Sequence, residues 1–455
     1  VGGPSVVGMD ETEARWTADQ VLGLAPDAAS RTAGARLATR APWSGAGASH
    51  DAVWGLCAGS GSRPYQTAVD LRGPAYACSC PSRKFPCKHA LGLLLLWAGD
   101  EGAVAAGAVA PEWAEQWLAA RREKAEAAAT APEEDEPAPG PSAADAARKR
   151  AERRAVRVEG GAAELEQRLT DLLRGGLAGA ERAGYQQWDE MAARMVDAQA
   201  PGLASRVRTL GAAAAAGGDW PSRMLEETGL LHLLARGYLG RERLPRPLAE
   251  TVRTRIGFTV DSAEVLAGPR IRGQWLVLAQ YDTPDERLTT RRIWLHDTAS
   301  GRFALLLSFG AAGRAPELTL PVGSVLDAEL AYHPAAVPLR AVLGEVFATG
   351  TPDRTPPGTS VAAALDAYGT ALADDPWLDA FPVVLADVVP LPGQDHWQVA
   401  DATSAAAAPL TSPTPLWRLA SISGGHPVTL FAEATPTGLH PLAAWPPQSP
   451  LPLPV

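Results

Sequence analysis

The chain has 455 residues, 46% of them hydrophobic and 20% charged, with a formal net charge of −10 and a pI near 5.4. That length is too great for one ordinary core and calls for several domains, and the composition is that of globular proteins, so most of the chain is expected to fold without help. The acidic balance excludes a global attraction to nucleic acid or anionic lipid, so any such contact has to be local.

The first twenty residues hold Asp10, Glu11 and Glu13 and no apolar run, unlike a secretory signal. The longest strongly apolar stretch, 90–98, is far shorter than the roughly 20 residues that span a bilayer. A cytoplasmic protein without membrane contact is therefore expected. Abundant alanine and a large excess of arginine over lysine fit the coding bias of a high-GC bacterial genome.

Two short helices are predicted over 11–24 and 28–38, with Asp27 as the N-cap of the second. Trp54-Gly55-Leu56-Cys57 then reads as a strand, Gly59-Ser60-Gly61 as a turn, 65–71 as a second strand and Gly73-Pro74 as another turn. From 88 to 98 only Lys88, His89 and Gly92 interrupt the apolar residues, which predicts a short helix buried on nearly all sides. A helix over 112–129 leads into 131–141, where Glu133, Glu134, Asp135 and Glu136 lie among prolines with nothing to bury; this reads as a flexible linker. Arg148, Lys149, Arg150, Arg153, Arg154 and Arg157 follow at helical spacing. With Asp145, Glu152 and Glu159 nearby they read as a solvated helix face, or else as a nucleic-acid contact.

Periodicity is helical throughout 164–239, with Trp188, Met191, Met195 and Gln199 on one stripe and a leucine-rich helix over 222–236. Beyond Gly257 the pattern turns to strands, over 275–281, 292–296 and 303–309, with Ser300-Gly301 in a connecting turn. Further strands are predicted over 383–389, 396–400, 416–422 and 428–432, the last two joined across Ser423-Gly424-Gly425. One helix interrupts them, holding Val361, Leu365, Tyr368 and Leu372, with Thr359 or Ser360 as its cap. The proline-rich end, 436–455, reads as an extended tail. No fixed-period repeat indicates a solenoid or propeller, and two β-rich stretches around a helix fit either one domain or two.

Three of the four cysteines fall in the run C-S-C-P-S-R-K-F-P-C-K-H, as Cys78, Cys80 and Cys87, and His89 closes it. In a reducing cytosol such clustering points to metal rather than disulfide. Residues two apart on an extended chain face the same side, so Cys78 and Cys80 can present two sulfurs to one point. The segment with Pro81 and Pro86 turns the chain back, and Cys87 and His89 supply the other ligands from the start of the buried helix. The set is tetrahedral S₃N with no open position, so one structural Zn²⁺ is expected and hydrolytic metal chemistry is not. Three thiolates leave this centre with a negative charge that Arg83, Lys84 and Lys88 can neutralise; the same cations can also contact phosphate.

The C-x-C…C-x-H pattern on a strand pair followed by an apolar helix resembles the SWIM-type zinc finger, and 54–97 resembles the version in bacterial SWIM-finger proteins. The likeness covers about the first hundred residues. It implies a β-β-α zinc module with Cys78, Cys80, Cys87 and His89 as its ligands, one that binds DNA or protein rather than catalysing. It also implies protein partners such as a MoxR-type ATPase or a von Willebrand A-type system. The expected fold class is thus α+β multidomain: a zinc finger domain over 1–100 with flanking helices, a helix and acidic/basic linker over 101–160, a helical segment over 161–250, a β-rich region over 251–435 and the tail.

The remaining candidates are weaker. Cys57 reads as a buried small side chain rather than a fifth sulfur. His296 and Asp297, adjacent on a strand, face opposite ways and make a poor dyad, and His50 sits in a loop. The string 55–61 lacks the lysine of a phosphate loop, and no G-x-S-x-G, P-loop or H-E-x-x-H occurs. Residues 1–100 carry nine Lys or Arg against eight Asp or Glu, a near balance where a DNA-binding module commonly has a basic face. The expectation is a non-enzymatic zinc-binding adaptor that docks a protein. The alternative is a DNA-associated protein contacting phosphates through the finger and the 148–157 run.

Overall fold

The computed structural model describes residues 15–455 apart from 60, 62, 73–74, 83, 85, 101, 131–140, 178–183, 216–219, 285–287, 312–315, 353–354, 394–395, 413–415, 447–448 and 450. The start of the first predicted helix, Ser60 of the first turn, the turn at Gly73-Pro74, Arg83 and the acidic linker residues 133–136 therefore lie outside the described residues.

Side-chain caps set the first two helices. Thr17 opens α1 (Ala18–Gly23) by a reciprocal pair: its hydroxyl accepts from the Gln20 N–H, and the Gln20 side chain accepts from the Thr17 N–H. Asp27 caps α2 (Ala28–Ala35), accepting from the Ser30 N–H at 2.6 Å as its position predicts. Strands β1 (Trp43–Ala48), β2 (Ala52–Cys57), β3 (Tyr65–Asp70) and β4 (Ala75–Cys78) form an antiparallel meander. The two-residue β5 (Ala105–Ala106) pairs with β1 in parallel, giving the order β4-β3-β2-β1-β5. Three of these strands are silent in the sequence, because β1 and β5 are glycine, serine and alanine after Trp43 and β4 is only four residues long.

Helix α3 (Lys88–Gly99) packs against this sheet and is buried at every position from His89 to Trp97. Gly92 is a contact rather than a break: a Cβ there would stand 2.6 Å from the Leu37 Cβ, and one on Gly34 would stand 2.7 Å from the Leu91 Cβ. Only glycines let α2 and α3 come this close. On the other side of the sheet, α4 (Glu112–Thr130) buries Ala114 and Leu118 against Ala52, Trp54 and Ala68.

The centre of the chain is helical. Helix α5 (Pro141–Gly175) buries Val158, Ala162, Leu165 and Leu169 at alternating offsets of four and three, and α6 (Gly184–Asp197), α7 (Pro201–Ala215) and α8 (Trp220–Leu239) complete one core with it. The basic run 148–157 thus lies on a bundle helix. Trp188, Met191 and Met195 are buried as the stripe predicts, but Gln199 is not part of it. Helix α6 ends at Asp197, Gln199 turns left-handed with φ +61°, and the Ala200 N–H reaches back to the Met195 carbonyl. Helix α9 (Arg246–Ile256) adds Val252 and Ile256 to the same core, and the short α10 (Ser262–Ala267), capped by Asp261, leads to the β-rich part.

There β6 (Arg270–Pro284), β7 (Leu288–Asp297), β8 (Arg302–Ala311), β9 (Val325–Tyr332) and β10 (Arg340–Gly350) form a closed barrel. Around the barrel the order is first, second, third, fifth, fourth, and the third and fifth strands are parallel. This is the arrangement of OB-type barrels. Helix α11 (Val361–Asp374), capped by the Ser360 hydroxyl, intervenes, and then the order recurs. Strands β11 (Phe381–Leu391), β12 (Trp397–Asp401) and β13 (Ala407–Leu410), helix α12 (Trp417–Ser423), and strands β14 (Val428–Thr435) and β15 (Gly438–Trp445) repeat it, with β16 (Leu453–Pro454) added at β15. The parallel pair Leu410↔Leu439 joins third strand to fifth.

The two β-rich stretches pack as one body. Leu276, Trp294 and Leu305 of the first share a core with Val384, Phe431 and Trp445 of the second, and inside it the buried Glu433 accepts from the Tyr281 hydroxyl at 2.7 Å and the Trp294 Nε1–H at 2.6 Å. The body is anchored to the bundle by Trp377, whose ring enters the bundle core and donates to the Leu230 carbonyl, and by the Arg255–Asp375 pair at 2.7 Å.

Two sequence expectations fail here. Residues 416–422 are not a strand: Leu416, Leu419 and Ser423 are buried at offsets of three and four, a helical spacing, and Gly424 at φ +56° ends the turn. The proline-rich end is no tail, because Leu439, Ala443, Ala444 and Trp445 of β15 are buried between β14 and β16. Pro441 is accommodated where the register against β14 shifts between Phe431 and Ala432, a bulge that needs no amide donor.

Candidate metal centre

Cys78 ends β4 directly across the ladder from Thr67, whose hydroxyl lies 3.4 Å from its sulfur. Pairing continues one residue further: the Ser79 N–H bonds to the Gln66 carbonyl, and the Ser79 hydroxyl accepts from the Gln66 N–H, both at 3.0 Å. This holds the chain extended as it reaches Cys80. A turn in which the Ser82 hydroxyl accepts from the Lys84 N–H brings the chain back to Cys87, the N-cap of α3, and His89 follows in the first turn.

The donor atoms of Cys78, Cys80, Cys87 and His89 all lie within 4.8 Å of one another, with the His89 Nδ1 3.7 Å from the Cys78 sulfur. Cys87 and His89 are buried, Cys78 and Cys80 partly so, and the Tyr65 ring packs on the imidazole with centroids 4.8 Å apart. All four residues singled out by spacing thus converge. Sulfurs this close cannot all ionise unaided. The neighbouring Cys87 thiol, with help from His89 and Thr67, pulls the Cys78 thiol down to about 3; the same contact pushes Cys87 far up, and burial raises Cys80. The cluster by itself sustains one thiolate, and further negative charge needs a cation in its midst. Three sulfurs and one imidazole nitrogen around one point are the donor set Zn²⁺ prefers, so the four residues fit one zinc site with no position left for water or substrate.

The surroundings decide which cations are free. Lys84 is paired with Asp27 at 2.5 Å, tying the ligand loop to the cap of α2, and this contact with the Ser30 bonds holds the Asp27 carboxyl at about 2. Lys88 is exposed at the start of α3. Cys57 is buried on β2 opposite Tyr65, its thiol pushed up by burial, and stays outside the cluster. His296 and Asp297 form no dyad: His296 stacks on Phe303 at 4.5 Å, and Asp297 accepts from Ser300. His50 pairs with its neighbour Asp51.

On α5, Arg148 sits between Asp145 and Glu152, Arg154 donates to the Gly257 carbonyl across the Phe258 ring, and Arg157 donates to Gln199. Arg148 fits the solvated-helix reading, while Arg154 and Arg157 tie α5 to the segments after α9 and α6. Lys149, Arg150 and Arg153 are exposed. Among the described residues, no helix is long and apolar enough to cross a membrane.

Comparison with known families agrees with this geometry and extends it. Residues 68–98 match the SWIM zinc finger, and residues 153–256 match the SWIM-associated four-helix bundle domain. No curated protein and no solved structure matches the chain. The chain carries a SWIM zinc finger with its Cys₃His cluster and, behind it, the helical bundle that accompanies such fingers. The sequence reading found the helices but attached no family to them. The signal was the buried series Val158, Ala162, Leu165 and Leu169, which many helical proteins share.

Proposed function

We propose that this chain is a non-enzymatic adaptor of the cytoplasm, whose zinc-fixed finger docks a protein partner of the MoxR-type ATPase or von Willebrand A-type classes. The observation that carries this reading is the pairing of three of the finger's own cations. Lys84 is bound to Asp27, Arg40 to Asp100 in a two-point contact at 2.7 and 2.8 Å, and Arg72 to Asp51 and Asp70. A face that grips a phosphate backbone needs several unpaired cations in a row; these pairings leave Arg31, Arg36, Arg63 and Lys88 exposed without an ion pair among the described residues, spread over α2, the β2–β3 turn and the start of α3, and a finger with its charges so divided suits a protein surface better. The closed metal centre supports a scaffold role for the same reason that it disfavours catalysis.

One observation favours the second reading, DNA association. Lys149, Arg150 and Arg153 are exposed on α5 and make no ion pair among the described residues. The experiment is affinity capture of the full chain from its host after nuclease treatment, with duplex-DNA anisotropy titrations over a range of salt. Nuclease-resistant capture of one protein and no DNA binding at low salt is the expected result. Tight DNA binding whose salt slope falls by about 3 when Lys149, Arg150 and Arg153 are replaced by glutamine would overturn it in favour of the second reading.

A further inference from the structure

OB-type barrels take ligands on the face of their second and third strands and on the loops between strands one and two and between four and five. In the first barrel that face is closed, since Trp294 of β7 and Leu305 of β8 are buried against Phe431 and Trp445. On the second barrel the outward residues of the matching strands are Gln398, Ala400, Ala407 and Pro409, which offer neither ring nor cation for stacked bases. The open site is under the loop between the fourth and fifth strands of the first barrel.

There, a cavity of about 590 Å³ lies between that loop and the first turns of β6 and β8, within the size range of small-molecule sites. Ile271, Phe303, Leu339 and the prolines of the loop make it mainly apolar. Phe303 is held in place by its stack on His296, and the Tyr332 hydroxyl is already used, donating to the Phe303 carbonyl at 2.9 Å. Two polar groups in the lining have no such partner. His333 is only 9% exposed, yet its imidazole makes no hydrogen bond among the described residues, and Arg302, exposed at the start of β8 on the rim of the cavity, makes no ion pair among them. The carboxylate across the ladder from Arg302 is Asp297, and its oxygens accept from Ser300 and the Ala299 N–H. Arg340, half-buried behind His333, adds positive charge to the same corner.

We propose that this pocket binds a small organic anion, a carboxylate or phosphate on an apolar or aromatic body, with the body on Phe303 and the prolines and the anion on Arg302 and His333. Burial, reinforced by Arg340, holds His333 down to about 4, so at neutral pH its ring is an uncharged donor and Arg302 supplies the charge. An apolar floor without the cation would take neutral ligands equally well; the unpaired guanidinium is what selects an anion.

The test is a fluorescence titration of the full zinc-loaded chain with anilinonaphthalene sulfonate, an aromatic anion whose emission rises in apolar sites. Saturable binding at one site is expected, displaced by benzoate or phenyl phosphate but not by neutral benzamide; the better competitor tells carboxylate from phosphate. Arg302→Gln should weaken the probe about tenfold, as loss of one charge-assisted contact does. Ala335→Trp, which fills the cavity from the loop, should abolish binding while circular dichroism and zinc content stay unchanged. Arg418→Gln, at an exposed position on α12, should have no effect. Unsaturable binding, equal displacement by benzamide, or an unchanged affinity in Arg302→Gln would overturn the proposal.

Discussion

The finger and the first barrel solve the same problem, holding a small twisted sheet closed, by opposite means. The barrel closes on itself through backbone pairing, from the antiparallel β6–β9 ladder round to the parallel Arg340↔Leu305 and Ala341↔Leu306 pairs, and fills its inside with Trp275, Val277, Leu295 and Leu326. The finger sheet is open at β4, and the edge is fastened to α3 by four donor atoms that cannot hold their charge without a cation. Backbone closure needs no ligand, whereas the finger makes its fold conditional on metal. A small core gains from such a fastening because it has little apolar area to bury.

The largest test of that contrast removes the metal. Elemental analysis is expected to find about one zinc per parent chain, and Cys87→Ala should lose it, and with it a binding free energy of about 10–16 kcal/mol that such sites contribute to folding. Hydrogen exchange should then show β3, β4 and α3 unprotected and the barrel strands unchanged. A variant that keeps its finger protected without zinc would erase the contrast.

The next test strikes the barrels where they meet. Glu433→Ala leaves the Tyr281 hydroxyl and the Trp294 N–H buried without an acceptor. A cost of about 2–5 kcal/mol in the denaturant unfolding of the barrels is expected, with zinc content unaltered. Loss of zinc in this variant would mean that the two regions are not independent.

Acid separates the regions by mechanism. Burial lowers His296 from 6.5 to about 4. The unfolded chain therefore takes up its proton first as the pH falls, so barrel stability declines from pH 6.5 and the loss is complete below pH 4, amounting to about 3 kcal/mol. His296→Leu should flatten this part of the curve measured by chemical denaturation. The finger should fail in acid for another reason, competition between protons and zinc for the ligands, and its midpoint should move with added zinc while that of the barrels does not.

The metal centre was legible because its information is local. Cys78, Cys80, Cys87 and His89 lie within one turn of chain, and the alternation of an extended strand with the start of an apolar helix fixes where they point. The bundle helices were legible for a similar reason, since a 3.6-residue period is written into each helix separately. Strand β15 was not, because Pro441 and the prolines on either side of the strand argue against it and only the partner register shows that Pro441 falls at a bulge. Helix α12 was missed because a seven-residue segment holds too few apolar positions to tell a period of two from one of 3.6.

By itself, then, the sequence determined the ligand set, the buried helix that carries half of it, the Asp27-capped helix of the first region and the helical middle. Only the tertiary structure decided that Gly92 is a crossing point, that Lys84 belongs to Asp27, that two barrels of one strand order share a core around Glu433, and that a pocket opens beside Arg302. The division follows from distance along the chain. Caps, periods and close ligand spacings act within a few residues, whereas Leu410↔Leu439 or Trp294 with Glu433 join positions whose partners no local pattern names.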